Sequence, residues 1–286
     1  MAGVAEGKSK RGRTKPDLAS WGGLLLASTG IIGGLLLEGG TIQDISQVTA
    51  GMIVLGGTLG AVMVTTPLSV LLSAARKLKL VFFEQAQTPD AVIEEIITYA
   101  TKARKNGIVS LEQEAEAVRD PFLRKALNLA VDGMDLKELR KMMELEIGLE
   151  EQRAEAEAKV YEAAGGYAPT IGIIGAVLGL IQVMKHLENI NEVGKGIAVA
   201  FVATVYGVGS ANIFFIPAGH KIRARMHGVL QTKELMIEGV TGIVEGLNPK
   251  LIRIRLEAYT RRDAKTKPAK GSKEAKPAGE PAAISS

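Results

Sequence analysis

Six polar side chains interrupt otherwise apolar runs in the second half of this 286-residue chain: Thr170, Gln182, Thr204, Tyr206, Ser210 and Asn212, with Pro169 and Pro217 among them. Hydroxyls, amides and carbonyls freed by proline are groups that can handle a small ion where water is scarce. Each proline marks either a pore or hinge, or a plain structural kink. Ion transport normally needs a titratable or coordinating group within the membrane, yet the apolar runs hold no Asp or Glu. If the chain conducts protons, another chain must supply the carboxyl. Other chemistry lacks its residues: there is no Walker-type phosphate loop, nucleophile elbow or His-Glu metal motif. With zero cysteines, and three histidines scattered at His186, His220 and His227, neither a metal nor a cofactor is expected. Gly207-Val-Gly209 lies inside an apolar run, where packing explains it better than phosphate binding.

The elements that must position these residues follow from composition. The chain is 47% hydrophobic yet 23% charged, which separates apolar from charged blocks as in a membrane protein with a large wet part. Four stretches are long enough to span a bilayer: Leu18 to Leu37, Val48 to Ser73, Gly166 to Leu187 and Gly196 to Gly219. The first is too long for the apolar core of a signal peptide. Basic residues stay on the cytoplasmic side. Lys8, Lys10, Arg11, Arg13 and Lys15, then Arg76-Lys77-Lys79, then Lys221, Arg223 and Arg225 therefore put both termini in the cytoplasm of a bacterial inner-membrane, multi-pass protein. The net charge of +4 is explained by this orientation, and no nucleic-acid partner is expected. Glycines recur at three- and four-residue intervals in the spans, for tight packing within one subunit or for an interface with further helices.

Between spans two and three the punctuation is helical. Thr88-Pro89-Asp90 opens a helix with the stripe Val92, Ile93, Ile96, Ile97, Ala100, Ala103, ending at Asn106-Gly107. Ser110 to Gln113 reads as a capping box opening a second helix, Asp120-Pro121 opens a third ending at Gly133, and Asp135 with Glu138 opens a long fourth running towards Ala164. The charges Glu150, Glu151, Arg153, Glu155, Glu157 and Lys159 imply a largely solvated face on that fourth helix. Arg104 falls in a last turn and Glu112 in a first turn, where the helix dipoles favour those signs. The expected fold is all-α: four transmembrane helices, a helical cytoplasmic domain between spans two and three, and a cytoplasmic C-terminal helix. The expected division is a basic tail (1–17), spans one and two (18–73), the cytoplasmic domain (74–165), spans three and four (166–219), the C-terminal helix (220–262, interrupted at Asn248-Pro249) and a disordered tail (263–286).

The run Gly165-Gly-Tyr-Ala-Pro-Thr-Ile-Gly-Ile-Ile-Gly-Ala-Val-Leu-Gly-Leu-Ile181 closely resembles the third span of MotA proteins. The run from Gly196 to Asn212, with Pro217 beyond it, resembles their fourth, Ala103 to Glu112 their cytoplasmic loop signature, and Gly246-Leu-Asn-Pro-Lys250 their C-terminal element. The resemblance extends in order and spacing from about Pro16 to Tyr259. It implies an ion-channel subunit of the flagellar motor stator, coupling proton flow to torque. It further implies a MotB-type single-span, peptidoglycan-binding partner with an essential Asp, a homopentamer around a pair of partner helices, and a rotor switch protein of the FliG type as load. The family's ion path maps onto Pro169, Thr204 and Pro217, with Thr170 as a neighbouring polar group, and its rotor-facing charges onto Arg104 and Glu112, with Lys105 beside them. Sodium-driven relatives typically carry Thr at the position of Ala176, so protons are favoured over a sodium-driven stator. The runner-up is an ExbB or TolQ type energiser, which usually has three spans; a scaffold that conducts nothing is a third class.

Overall fold

The structure is a computed structural model that describes residues 15–84 and 88–266. Helix α1 is Leu18–Leu37; α2 runs over residues 48–65, with a π-helical turn at Met52–Gly56; α3 is Leu68–Lys77 and α4 the single turn Lys79–Phe82. Then come α5 (Pro89–Asn106), α6 (Glu112–Ala117), α7 (Pro121–Val131), α8 (Leu136–Lys185), α9 (Ile190–Val244, with a π-helical turn at Ser210–Phe215) and α10 (Pro249–Thr266). A two-residue antiparallel pair joins β1 (Lys15–Pro16) to β2 (Phe83–Glu84). Among the described residues four helices are long and apolar enough to cross a membrane, and apart from that short pair the fold is all-α.

Several boundaries differ from the sequence expectation. The second span does not run unbroken to Ser73, because Pro67 holds Thr66 in an extended conformation (φ −129°, ψ 130°) and the chain restarts as α3. The capping box at Ser110 does not form: a 3-10 turn fills Ile108–Leu111, Ser110 Oγ donates to the Gly107 carbonyl, and Leu111 precedes α6 with no side-chain cap. Gly165 and Gly166 interrupt nothing, since α8 is one helix of 50 residues and α9 with its π turn spans 55. Asn248-Pro249 does break the C-terminal segment, and α10 continues helical to Thr266, beyond the point where disorder was expected; residues 267–286 and the basic residues before Lys15 lie outside the described residues.

Three apolar clusters hold the parts together. The largest packs the α5 stripe (Val92, Ile93, Ile96, Ala100) against α7, the start of α8, the end of α9 and Ile252 and Leu256 of α10. A second joins Ala158, Tyr161 and Ala164 of α8 to Ala74 of α3 and Ala218 and Ile222 of α9. The third sets Ala50 and Val54 of α2 against Val202 and Ala203 of α9. Glu157 sits in the second interface at 6% exposure, accepting a hydrogen bond from Ser73 Oγ, with Lys77 Nζ 4.0 Å away. The solvated face expected for this charged stretch therefore excludes Glu157, which shares the inward stripe of Ala154, Ala158 and Tyr161.

Helix α1 is attached at its foot. Asp17 caps it by accepting from the Ala19 amide at 3.1 Å, donates its own amide to the Phe82 carbonyl at 2.9 Å, and pairs with Lys221 at 2.5 Å and Arg225 at 2.8 Å. Burial alone would raise the pKa of Asp17; the hydrogen bonds from Lys221 and Arg225 outweigh it and hold the carboxyl well below the usual carboxylate range. Trp21 meets Phe82 beside it, ring centroids 5.1 Å apart and planes tilted by 46°.

Candidate functional site

The seam between α8 and α9 carries the sequence-predicted path residues. It is built from small residues: a methyl group added at Gly172 would lie 2.9 Å from the Ala203 carbonyl oxygen, and one at Gly207 2.5 Å from that of Ala168. Gly179 meets Gly196 and Ala200 as closely, and Gly175 is wedged between Ala203 and Ile53. Spans three and four thus touch backbone to backbone, the arrangement that substitutes for a hydrophobic driving force in lipid.

Pro169 lies inside α8 and has no N–H, so the Gly165 carbonyl loses its helical donor. Gly165 in turn abuts Ile216, the residue before Pro217, while Ala168, the residue before Pro169, meets Gly207, so Pro169 stands nearer the middle of the seam than Pro217. Pro217 is exposed and follows the π-helical turn, lining a 340 Å³ groove shared with Ala19, Ser20 and Gly23 of α1. Ala176, two turns beyond Pro169, shares its side of α8 and is half-buried. Thr204 is half-buried beside the seam and donates to the Ala200 carbonyl at 3.2 Å; Thr170 is exposed and donates to that of Tyr167 at 2.8 Å. Both hydroxyls thus serve their own helix, leaving acceptor lone pairs but no free proton. The apolar stretches 166–187 and 196–219 hold no acid.

Tyr206 and Asn212 have structural partners, whereas the fully buried Thr58 hydroxyl of α2 has none among the described residues. Tyr206 donates its hydroxyl to the Ile45 carbonyl and accepts from the Gln47 amide at 3.4 Å, tying the turn before α2 to α9. Asn212 donates to the Val208 carbonyl at 2.9 Å within the π turn. Sequence reasoning missed both π turns, which leave no residue signature of their own. It also missed the Asp17 hub, for which an Asp directly before an apolar run is a cap signal.

At the far end of the inter-span domain, Arg104 and Lys105 stand in the last turn of α5 and Glu112 opens α6, all exposed. Gly107, at φ +81°, and the 3-10 turn separate them. Neighbouring Lys102 pairs with Glu114, and Arg253 with Glu94, but Arg104, Lys105 and Glu112 form no ion pair among the described residues.

Two family models cover most of the chain: the MotA/TolQ/ExbB proton channel family over residues 114–235, and the motility protein A N-terminal region over residues 21–107. Motility protein A of Bacillus subtilis (strain 168) is 34% identical over 244 residues, 85% of this chain and 90% of that protein. The chain belongs to the MotA/TolQ/ExbB proton channel family. The solved structure of C. jejuni MotAB superposes with a TM-score of 0.81 at 31% identity, covering 85% of this chain and 95% of that one. The flagellar MotAB stator complex of Bacillus subtilis does so at 0.80 and 32%, covering 88% and 100%. Within the MotA/TolQ/ExbB family, the motility-type N-terminal region distinguishes a flagellar stator ion-channel subunit from an energiser of the ExbB or TolQ type. The protein is a multi-pass membrane protein.

Proposed function

We propose that this subunit conducts protons along the α8–α9 seam and converts their passage into torque, with the essential carboxyl supplied by a MotB-type partner. The observation that carries this reading is a pair of spans with two prolines, a threonine acceptor and no carboxyl of their own. A single-span partner helix with an Asp, placed beside Pro169, Ala176 and Thr204, would complete the path. Several copies of this chain, a pentamer by family resemblance, would surround a pair of such helices. Alternate neutralisation and exposure of the partner Asp changes the fit between the two rings, and the chain itself performs no catalysis. Protons are favoured over sodium because sodium must replace its hydration shell with several oxygens, whereas Ala176 offers a methyl group and leaves Thr204 as the one hydroxyl oxygen of the two positions.

The same proposal sets the protein in the bacterial inner membrane with both termini cytoplasmic, since Arg76, Lys77, Lys79, Lys221, Arg223 and Arg225 gather on one side. Membrane segments 18–73 and 166–219 then alternate with cytoplasmic segments 74–165 and 220–262, and tails 1–17 and 263–286 flank them. Arg104, Lys105 and Glu112 become the face offered to a rotor switch protein of the FliG type, their charges unpaired among the described residues. The deciding experiment co-reconstitutes the chain with its partner in liposomes holding a pH-sensitive dye. Proton influx under an imposed potential that vanishes when the partner Asp becomes Asn supports the reading; influx that requires sodium instead reverses the ion assignment.

A further inference from the structure

Three helices end around one groove beside Arg104. α5 stops at Gly107, α7 before Gly133 and α9 before Gly246, each glycine with positive φ (81°, 76° and 69°). At Gly133 and Gly246 a side chain would meet nothing within 4 Å, so the rim stays open. The groove encloses 380 Å³ and is lined by Ala103, Ile108, Met134, Val244 and Leu247, partly buried side chains on the outer edge of the largest core, with Arg104 its one charged wall. Val109, next along the turn, is 65% exposed. An apolar recess with an apolar knob beside it, rimmed by cations that no acid among the described residues neutralises, is a docking surface rather than a solvated loop.

We propose that this groove seats an apolar side chain from an acidic amphipathic helix of the rotor partner, whose carboxylates meet Arg104 and Lys105. The inference rests on the reading that the tip faces the rotor, and adds that the contact is apolar as well as ionic. Charge selects this occupant. An apolar residue and an acid three or four positions apart lie on one face of a helix and reach groove and guanidinium together. The chain's own residues 267–286 carry four lysines against two glutamates and match a cationic rim poorly.

The test measures binding of the purified rotor switch protein to the solubilised stator complex across a salt series. Ala103→Trp fills the groove without touching a charge; it should weaken binding about tenfold, about 1.4 kcal/mol, and leave the salt dependence intact. Arg104→Ala should weaken binding and flatten the salt dependence. Met134→Gln, which adds polarity but no bulk, should act like Ala103→Trp and guards against a folding defect. In cells, benzoylphenylalanine at position 134 should crosslink to the rotor protein. Wild-type affinity in both groove variants, with loss in Arg104→Ala, overturns the groove and leaves the tip reading standing. Wild-type affinity in all three overturns both, and a crosslink from position 134 to a second copy or to the chain's own tail replaces the proposed occupant.

Discussion

Spans one and three are both glycine-rich apolar helices, yet they pack in opposite ways. In α8 each of Gly172, Gly175 and Gly179 admits a neighbouring backbone or methyl group to within 3 Å of where a side chain would start. In α1 none of Gly22, Gly23, Gly30, Gly33 and Gly34 has anything within 4 Å, and no residue of the helix is buried. Composition and spacing were the same signal in both places. What differs is the facing helix: α9 offers Gly196, Ala200, Ala203 and Gly207 at matching intervals, whereas nothing among the described residues offers a small-residue face to the glycines of α1. Glycine spacing therefore announces a close approach without naming the partner, and span one meets none among the described residues.

The comparison can be broken most directly at the seam. Gly207→Leu should remove the folded protein from the membrane, because even the first carbon would collide with the Ala168 carbonyl; overpacking of this kind costs at least about 1–3 kcal/mol, and rigid backbone on both sides gives no relief. Immunoblots of membrane fractions check this. Pro169→Ala and Pro217→Ala should instead leave membrane levels near normal while abolishing swimming, since they restore or alter helix donors at the path without touching the seam. Loss of protein in either variant would make that proline a structural kink.

The foot of span one sharpens the other half of the comparison. Asp17→Asn removes a carboxylate of 7% exposure from between Lys221 and Arg225, and leaving those cations without it should destabilise the foot by roughly 2–4 kcal/mol. A lower midpoint of thermal unfolding in detergent would register it. Because the folded-state pKa of Asp17 is depressed, its stabilisation is fully present above the unfolded value of about 4 and fades as pH falls below it. The wild-type midpoint should accordingly fall in acid more steeply than that of Asp17→Asn. The smallest effect belongs to Gly33→Ala, expected within about 0.5 kcal/mol of wild type in the isolated chain. A large loss confined to the assembled complex would locate the missing partner of span one.

Much of this was legible in sequence because it depends on local signals. Four apolar runs, the caps at Asp120 and Asp135, Pro at the starts of α5 and α7, and glycine at their ends all act within a few residues. What was not legible depends on registry between distant elements. Glu157 belongs by composition to a solvated stretch, and its burial is decided by where Ser73 and Lys77 arrive, some 80 residues earlier. The capping box at Ser110 failed because Gly107 turned the chain into a 3-10 turn, whose carbonyl captured the hydroxyl first. At the site, residue types sufficed to suggest a seam without a carboxyl, but not that the Thr204 and Thr170 hydroxyls are spent on their own helices.

The uninterrupted length of α8 and α9 has a mechanical meaning. At 1.5 Å per residue, α8 is a rod of about 75 Å, anchored beside the seam and ending in the domain that carries the charged tip. A rod turns small angles into large displacements: a tilt of about 5° sweeps its far end through about 6 Å, comparable with one helical turn. Gly165 is no free hinge for such a tilt, because it is packed against Ile216 of α9. Glu155 and Glu162 of α8 both grip Arg223 of α9, so the two helices bend as one beam and a tilt begun at the seam reaches the far end of α8 with little loss.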